Sequence, residues 1–126
     1  MSTIGWLEHV GIGAARDRFE ETIRFYQKVF GWHLIKEQPG DLAFIGDGRG
    51  GRLEILARDE PPLIMPHHLA FAVEPADFEP TLAALRATGV SIQEPTTNAF
   101  GDTLIFFSDP AGNMAQIVSR VAPLAP

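Results

Sequence analysis

The sequence predicts an α+β fold of two tandem β-α-β-β-β modules, which form a curved eight-stranded sheet, a half-open barrel, with the helices outside. Three observations predict it. His9-Val10-Gly11-Ile12 and His68-Leu69-Ala70-Phe71 are near-copies of one pattern, one in each half of the chain. Each is followed by an amphipathic segment that closes at a glycine, Gly31 and Gly89, and the glycines keep almost the same offset as the histidines. Short apolar runs separated by turn residues then follow in both halves. A repeat of this length in 126 residues means that one half has been used twice. A lone module cannot bury its sheet face, so the copies pair, within one chain or swapped across a dimer, and residues 1–126 form a single domain. The repeats run over 1–57 and 67–120, and a proline-rich linker, 58–66, joins them.

In the first half, Leu7–Ile12 alternates as a strand, with Leu7, His9 and Gly11 on one face and Glu8, Val10 and Ile12 on the other. Arg16–Phe30 is helical because Phe19, Ile23, Tyr26 and Phe30 recur at spacings of four, three and four. Asp17 suits its N-cap, with Glu20 in capping-box relation, and Gly31 closes it. Trp32–Lys36, Leu42–Ile45 and Arg52–Leu56 read as strands. Gln38-Pro39-Gly40 and the Gly46–Gly51 run separate them as turns. That glycine-rich run lacks the Gly-Lys-Ser/Thr ending and opens no helix, so it is a hairpin turn rather than a phosphate loop.

The second half repeats the order. His68–Val73 is a strand. Ala76–Thr88 is a helix with Phe78, Leu82 and Leu85 on one face, and Pro80 is tolerated in its first turn. Val90–Gln93, Thr103–Ser108 and Ala115–Val118 are strands, and Asp109–Asn113 is a tight turn. Phe106 and Phe107 are consecutive in a strand, so one of them faces away from the core. The tail Val121–Pro126 reads as frayed.

Composition narrows the function. Hydrophobic residues make up 45% of the chain and charged ones 21%, which is ordinary for a soluble globular domain. A net charge of −6 argues against nucleic acid, since no basic stripe is present to neutralise phosphates. The longest apolar runs are strand-sized, so no membrane span is expected, and the N-terminus lacks a secretory pattern. Cytoplasmic residence is the resulting expectation. The absence of cysteine excludes disulfides, thiolate nucleophiles and cysteine-held zinc. Any metal must therefore be held by nitrogen and oxygen.

Ligands shared by two copies should come from equivalent strands, the first and fourth of each module. That selects His9 and Glu54 in the first half and His68 and Gln116 in the second. Glu54 and Gln116 lie among apolar neighbours, Leu53-Glu54-Ile55-Leu56 and Ala115-Gln116-Ile117-Val118. A carboxylate there needs a partner, because leaving a buried charge unpaired costs several kcal/mol. One metal ion would satisfy all four side chains. The plainer alternative for Glu54 is an ion pair with Arg52 or Arg49. His67 points to the opposite face from His68, and His33, after a helix end, reads as a surface residue.

These residues resemble those of the vicinal oxygen chelate superfamily, which unites glyoxalases, bleomycin-resistance proteins and extradiol dioxygenases. The matching motifs are His9–Ile12, Phe25-Tyr26-Gln27-Lys28-Val29-Phe30-Gly31-Trp32, Leu53-Glu54-Ile55, His68–Val73 and Phe107-Ser108-Asp109-Pro110-Ala111-Gly112-Asn113. The resemblance implies a cleft in which a divalent metal (nickel, cobalt, zinc, manganese or iron) binds adjacent oxygens of a small-molecule substrate, often in a homodimer. Shortly after the position of Asn113 such proteins usually carry a glutamate, and here Gln116 stands instead. An amide oxygen can bind a metal but cannot carry a proton, so Glu54 is left as the catalytic base as well as a ligand. The expected activity is of the lyase or isomerase type. The alternatives are a metal-free binding protein similar to bleomycin-resistance proteins and, further off, an extradiol dioxygenase.

Overall fold

The computed structural model describes residues 7–60 and 68–125. The chain divides into two compact units, Met1–Pro62 and Leu63–Pro126, each with four strands and one long helix among the described residues. His67 and most of the 58–66 linker lie outside the described residues. Arg58 itself still belongs to a strand.

Module 1 comprises β1 (Val10–Ala15), α1 (Arg16–Phe30), β2 (His33–Gln38), β3 (Leu42–Gly46) and β4 (Arg52–Arg58). Its sheet order is β1-β4-β3-β2, with β1 parallel to β4 and the other pairs antiparallel. The first and fourth strands are thus neighbours, as the ligand argument requires. Ala14, Ala43, Ile45, Leu53 and Ile55 are fully or nearly fully buried. They alternate with Leu42, Phe44, Glu54 and Leu56, which are half-buried on the other face.

The helix α1 has the bounds its apolar stripe predicts, and it buries Phe19, Ile23, Phe25 and Tyr26. Gly31 closes it in the left-handed conformation, φ 66°, where a side chain is costly. Its start corrects the expected cap. β1 runs on to Ala15 and leads straight into the helix, so the cap position falls on Ala15 with no side-chain cap bond. Asp17 instead sits in the first turn, where its charge complements the helix dipole. The chain entry is held by Arg16, whose guanidinium donates to Asp59 at 2.7 Å and to the Gly40 carbonyl at 3.1 Å.

Module 2 comprises β5 (Leu69–Ala72), α2 (Phe78–Thr88), β6 (Thr96–Thr97), β7 (Thr103–Ser108) and β8 (Met114–Ser119), in the order β5-β8-β7-β6. Here too the first and fourth strands pair in parallel. The strands of the described residues therefore fall into two four-stranded sheets, one per module. Phe78, Leu82 and Leu85 are buried as their spacing predicts. The turn before α2, Pro75–Asp77, is 3₁₀, so the α-helix begins at Phe78 rather than Ala76.

Most expected strands move by a residue or two, His68–Val73 to Leu69–Ala72 among them, and two change more. The first begins at Val10 rather than Leu7, because residues 7–9 precede the ladder. Val90–Gln93 is not a regular strand. Ile92 makes one bridge to Phe107, and the paired edge is Thr96–Thr97. Pro95 stands between them and has no N–H to donate, which interrupts the ladder.

The β3–β4 and β7–β8 turns are copies of one design. Asp47 Oδ1 accepts from the N–H groups of Arg49 (2.7 Å) and Gly51 (2.9 Å). Asp109 Oδ1 accepts from those of Ala111 (2.9 Å) and Asn113 (2.9 Å). The tail is less frayed than its composition suggests. The Val121 N–H donates to Asp102 at 2.7 Å, and Asn98 and Arg120 donate to the same carboxylate. The Val121 bond is the largest cause holding Asp102 below the ordinary carboxylate pKa, against the opposing effect of burial.

Candidate functional site

His9 is the last residue before β1, and its position is set by backbone ties. Arg52 at the start of β4 donates to the Glu8 carbonyl at 3.3 Å, which holds the 7–9 segment against the sheet. In register, Gly11 stands opposite Glu54, and Glu54 opposite Phe44. Gly11 places no side chain between the histidine and the carboxylate. His9 Nε2 lies 3.7 Å from Glu54 Oε1, with the Glu54 side chain 19% exposed. The Phe44 ring meets the His9 ring edge-on, 5.2 Å between centroids.

The other ring nitrogen is occupied. His9 Nδ1 lies 2.9 Å from Glu8 Oε1, and a carboxylate can only accept, so Nδ1 carries the proton. In the neutral ring this leaves the Nε2 lone pair on the Glu54 side, the arrangement by which a carboxylate orients a metal-binding imidazole. Two ligand atoms each about 2.1 Å from one ion lie roughly 3–4 Å apart, so Nε2 and Oε1 fit a common cation. Glu54 does not pair with Arg52 or Arg49: among the described ion pairs its partner is His9.

Module 2 repeats the corner with one change. His68 immediately precedes β5, and its ring meets Phe106 edge-on at 5.1 Å. Phe106 is opposite Gln116 in the β7–β8 register, and Ala70, next but one after His68, is opposite Gln116 in β5–β8. His68, Phe106 and Gln116 therefore share a face, while Phe107 is buried in the core. Gln116 is itself buried, at 8% exposure. His33 is exposed at the start of β2, as expected.

The sequence reading missed Phe44 and Glu8. Phe44 is offset from Phe106 by the same stretch of chain that separates Glu54 from Gln116, so the repeat carried that signal. Strand alternation placed Glu8 on the opposite face from His9. It reaches His9 because residues 7–9 lie outside the ladder. Among the described residues, no group of three or more His, Cys, Asp or Glu could hold a metal. Of the described donors, His9 and Glu54 meet in module 1, while His68 and Gln116 share a face in module 2.

Fold and sequence together define the class. The sequence matches the family model of the Glyoxalase/Bleomycin resistance protein/Dioxygenase superfamily over residues 6–117, and the chain belongs to that superfamily. No curated protein has a significant sequence match to it. Among solved structures, it is similar to an integron cassette protein from the mobile metagenome of Halifax Harbour sewage outfall, with TM-score 0.74 and 24% identity over 92% of this chain and 99% of that one. A point mutant of the fosfomycin resistance protein FosX from Listeria monocytogenes, complexed with Mn(II) and 1S,2S-dihydroxypropylphosphonic acid, has TM-score 0.81 and 18% identity over 94% and 93%. Lactoylglutathione lyase from Agrobacterium tumefaciens has TM-score 0.69 and 18% identity over 94% and 96%. At these identities the likeness is one of fold.

Proposed function

We propose that this chain is a metal-dependent enzyme of the glyoxalase type, a lyase or isomerase, acting on a small oxygenated substrate whose vicinal oxygens chelate the metal. The observation that carries the reading is the His9–Glu54 pair, with Nε2 free to bind and Nδ1 held by Glu8. Its repetition as His68 and Gln116, each histidine packed on an equivalent phenylalanine, supports it. The proposed ligands are His9, Glu54, His68 and Gln116, with nickel, cobalt, zinc, manganese or iron as the ion. Two imidazoles and a carboxylate suit this group of metals.

A bound divalent ion supplies Lewis acidity to the substrate oxygens. The protein's own share is positioning and proton transfer. Glu54 is the one proposed ligand that can accept a proton from carbon and return it, whereas Gln116 offers a neutral oxygen. Phe44 and Phe106 each meet a histidine ring edge-on, a contact that favours the observed ring orientations. We place the enzyme in the cytoplasm, as a homodimer. Among the described residues no helix is long and apolar enough to cross a membrane.

The test is metal content of untagged, unchelated protein beside the His9→Ala and His68→Ala variants. About one equivalent per chain, lost in both variants, is expected. A wild type that stays metal-free after incubation with each of the five metals overturns the reading. A second reading, a metal-free sequestering protein for a cationic ligand, is favoured by the net charge of −6 and would then lead.

A further inference from the structure

The β1–β4 ladder runs from Val10 opposite Leu53 to Ala15 opposite Arg58, so it stops one residue short of His9. The residue of β4 just beyond that end is Arg52. It stands opposite Gly46, as Glu54 stands opposite Phe44, so Arg52 and Glu54 share the ligand face, about 7 Å apart along the strand. Arg52 is half-buried and has no partner among the described ion pairs. Its guanidinium donates instead to the Glu8 carbonyl at 3.3 Å. That carbonyl and the His9 N–H belong to one planar peptide unit, so holding the carbonyl fixes the plane from which the His9 side chain departs. Module 2 carries no copy of this tether on β8. Met114, opposite Ser108, takes the place of Arg52, offset from it by the same stretch of chain that separates Gln116 from Glu54, and a thioether cannot donate.

Arg52 acts on a metal ion at His9 and Glu54 in two ways of opposite sign. Its fixed positive charge repels a cation arriving on the same face, which by itself weakens binding about fivefold. Its hydrogen bond sets the His9 ring where Nε2 lies 3.7 Å from Glu54 Oε1, a separation at which both atoms reach one ion. A ligand displaced by more than about 0.5 Å no longer meets that geometry. Losing an outer partner that orients a ligand costs about 10–100-fold in metal affinity, so the bond outweighs the charge. We propose that Arg52 is the positioning residue for His9, acting on this ligand through the Glu8–His9 peptide. Its role toward metal rests on the metal-dependent reading, whereas the placement of His9 requires no metal.

The test uses the full chain and its Arg52→Met, Arg52→Ala and Arg52→Lys variants, methionine being what module 2 carries in this place. In metal-free protein, NMR of the histidine ring protons reads the placement of His9 on Phe44, with His68 as the internal control. The His9 shifts are expected to move in Arg52→Met and Arg52→Ala and to return in Arg52→Lys. The His68 shifts are expected to stay, which also shows that each variant is folded. Cobalt(II) affinity, by competition with a chelator, is expected to fall about fivefold in the Met and Ala variants. It should stay within about threefold in Arg52→Lys, which keeps the charge and a donor. Tighter cobalt in Arg52→Met and Arg52→Ala would show that the charge alone acts and overturns the proposal, as do unmoved His9 shifts. A wild type that takes up no metal, with His9 shifts that still follow Arg52, defeats the enzyme reading alone. Metal uptake with His9 shifts and cobalt affinity indifferent to Arg52 defeats this inference alone.

Discussion

In module 1 the histidine ahead of the first strand points one nitrogen at Glu54 and gives the other to Glu8. In module 2 the matching histidine shares its face with the neutral amide of Gln116 and packs on the Phe106 ring. The backbone around the two corners is nearly the same: parallel first and fourth strands, a phenylalanine edge-on to each ring, an aspartate-held turn. The copies have kept their scaffold and separated their chemistry. On the proposed reading, negative charge and proton transfer would lie with module 1, and neutral ligation with module 2.

Exchanging the two corners tests that division most severely. Glu54→Gln makes both corners amides and removes the one carboxylate ligand, so metal affinity is expected to fall by about 100-fold or more in a chelator competition. Gln116→Glu does the reverse, and the added negative charge is expected to tighten metal about tenfold. If Glu54→Gln binds metal like the wild type, the modules do not divide the work in this way. A smaller effect is expected at Glu8. Glu8→Ala should cost about tenfold in metal affinity by freeing the His9 ring to change tautomer, and Glu8→Gln, whose amide oxygen still accepts from Nδ1, should cost less. Imidazole nitrogen NMR of the metal-free protein reads the same event: the Nδ1–H form in the wild type and in Glu8→Gln, and its loss in Glu8→Ala. An unchanged tautomer in Glu8→Ala would show that Glu8 does not orient the ring.

Much of this is readable from the residues, for reasons that differ by element. The bounds of α1 follow from a long apolar stripe ending at a glycine, a signal that tertiary contacts have little means to move. The four proposed ligand positions follow from the repeat offsets, whereas the parallel pairing of first and fourth strands is seen only in the structure. The Val90–Gln93 strand fails because the nearby Pro95 outweighs a short apolar run. Glu8 is misplaced when alternation is extended past the true start of the strand, where the chain no longer obeys it. Capping by Asp17 fails in a similar way, since β1 runs directly into α1 and leaves no loop for a cap.

The turns offer the mildest version of the comparison. Asp47 and Asp109 make the same pair of backbone bonds at the same relative positions, but Asp47 is exposed and Asp109 is only 3% exposed. Asp109 also accepts from the Asn113 side chain at 3.0 Å. Removing the buried acceptor strands donors that water reaches poorly, so Asp109→Ala is expected to cost about 1–3 kcal/mol. At the exposed turn water can replace the carboxylate, and Asp47→Ala should cost about 0.5–1 kcal/mol. Urea unfolding of both variants, at unchanged m-value, measures the difference directly. Equal costs would mean that burial does not set the worth of this bond. The two turns would then be copies in energy as well as in geometry, and the divergence between modules would be confined to the ligand face.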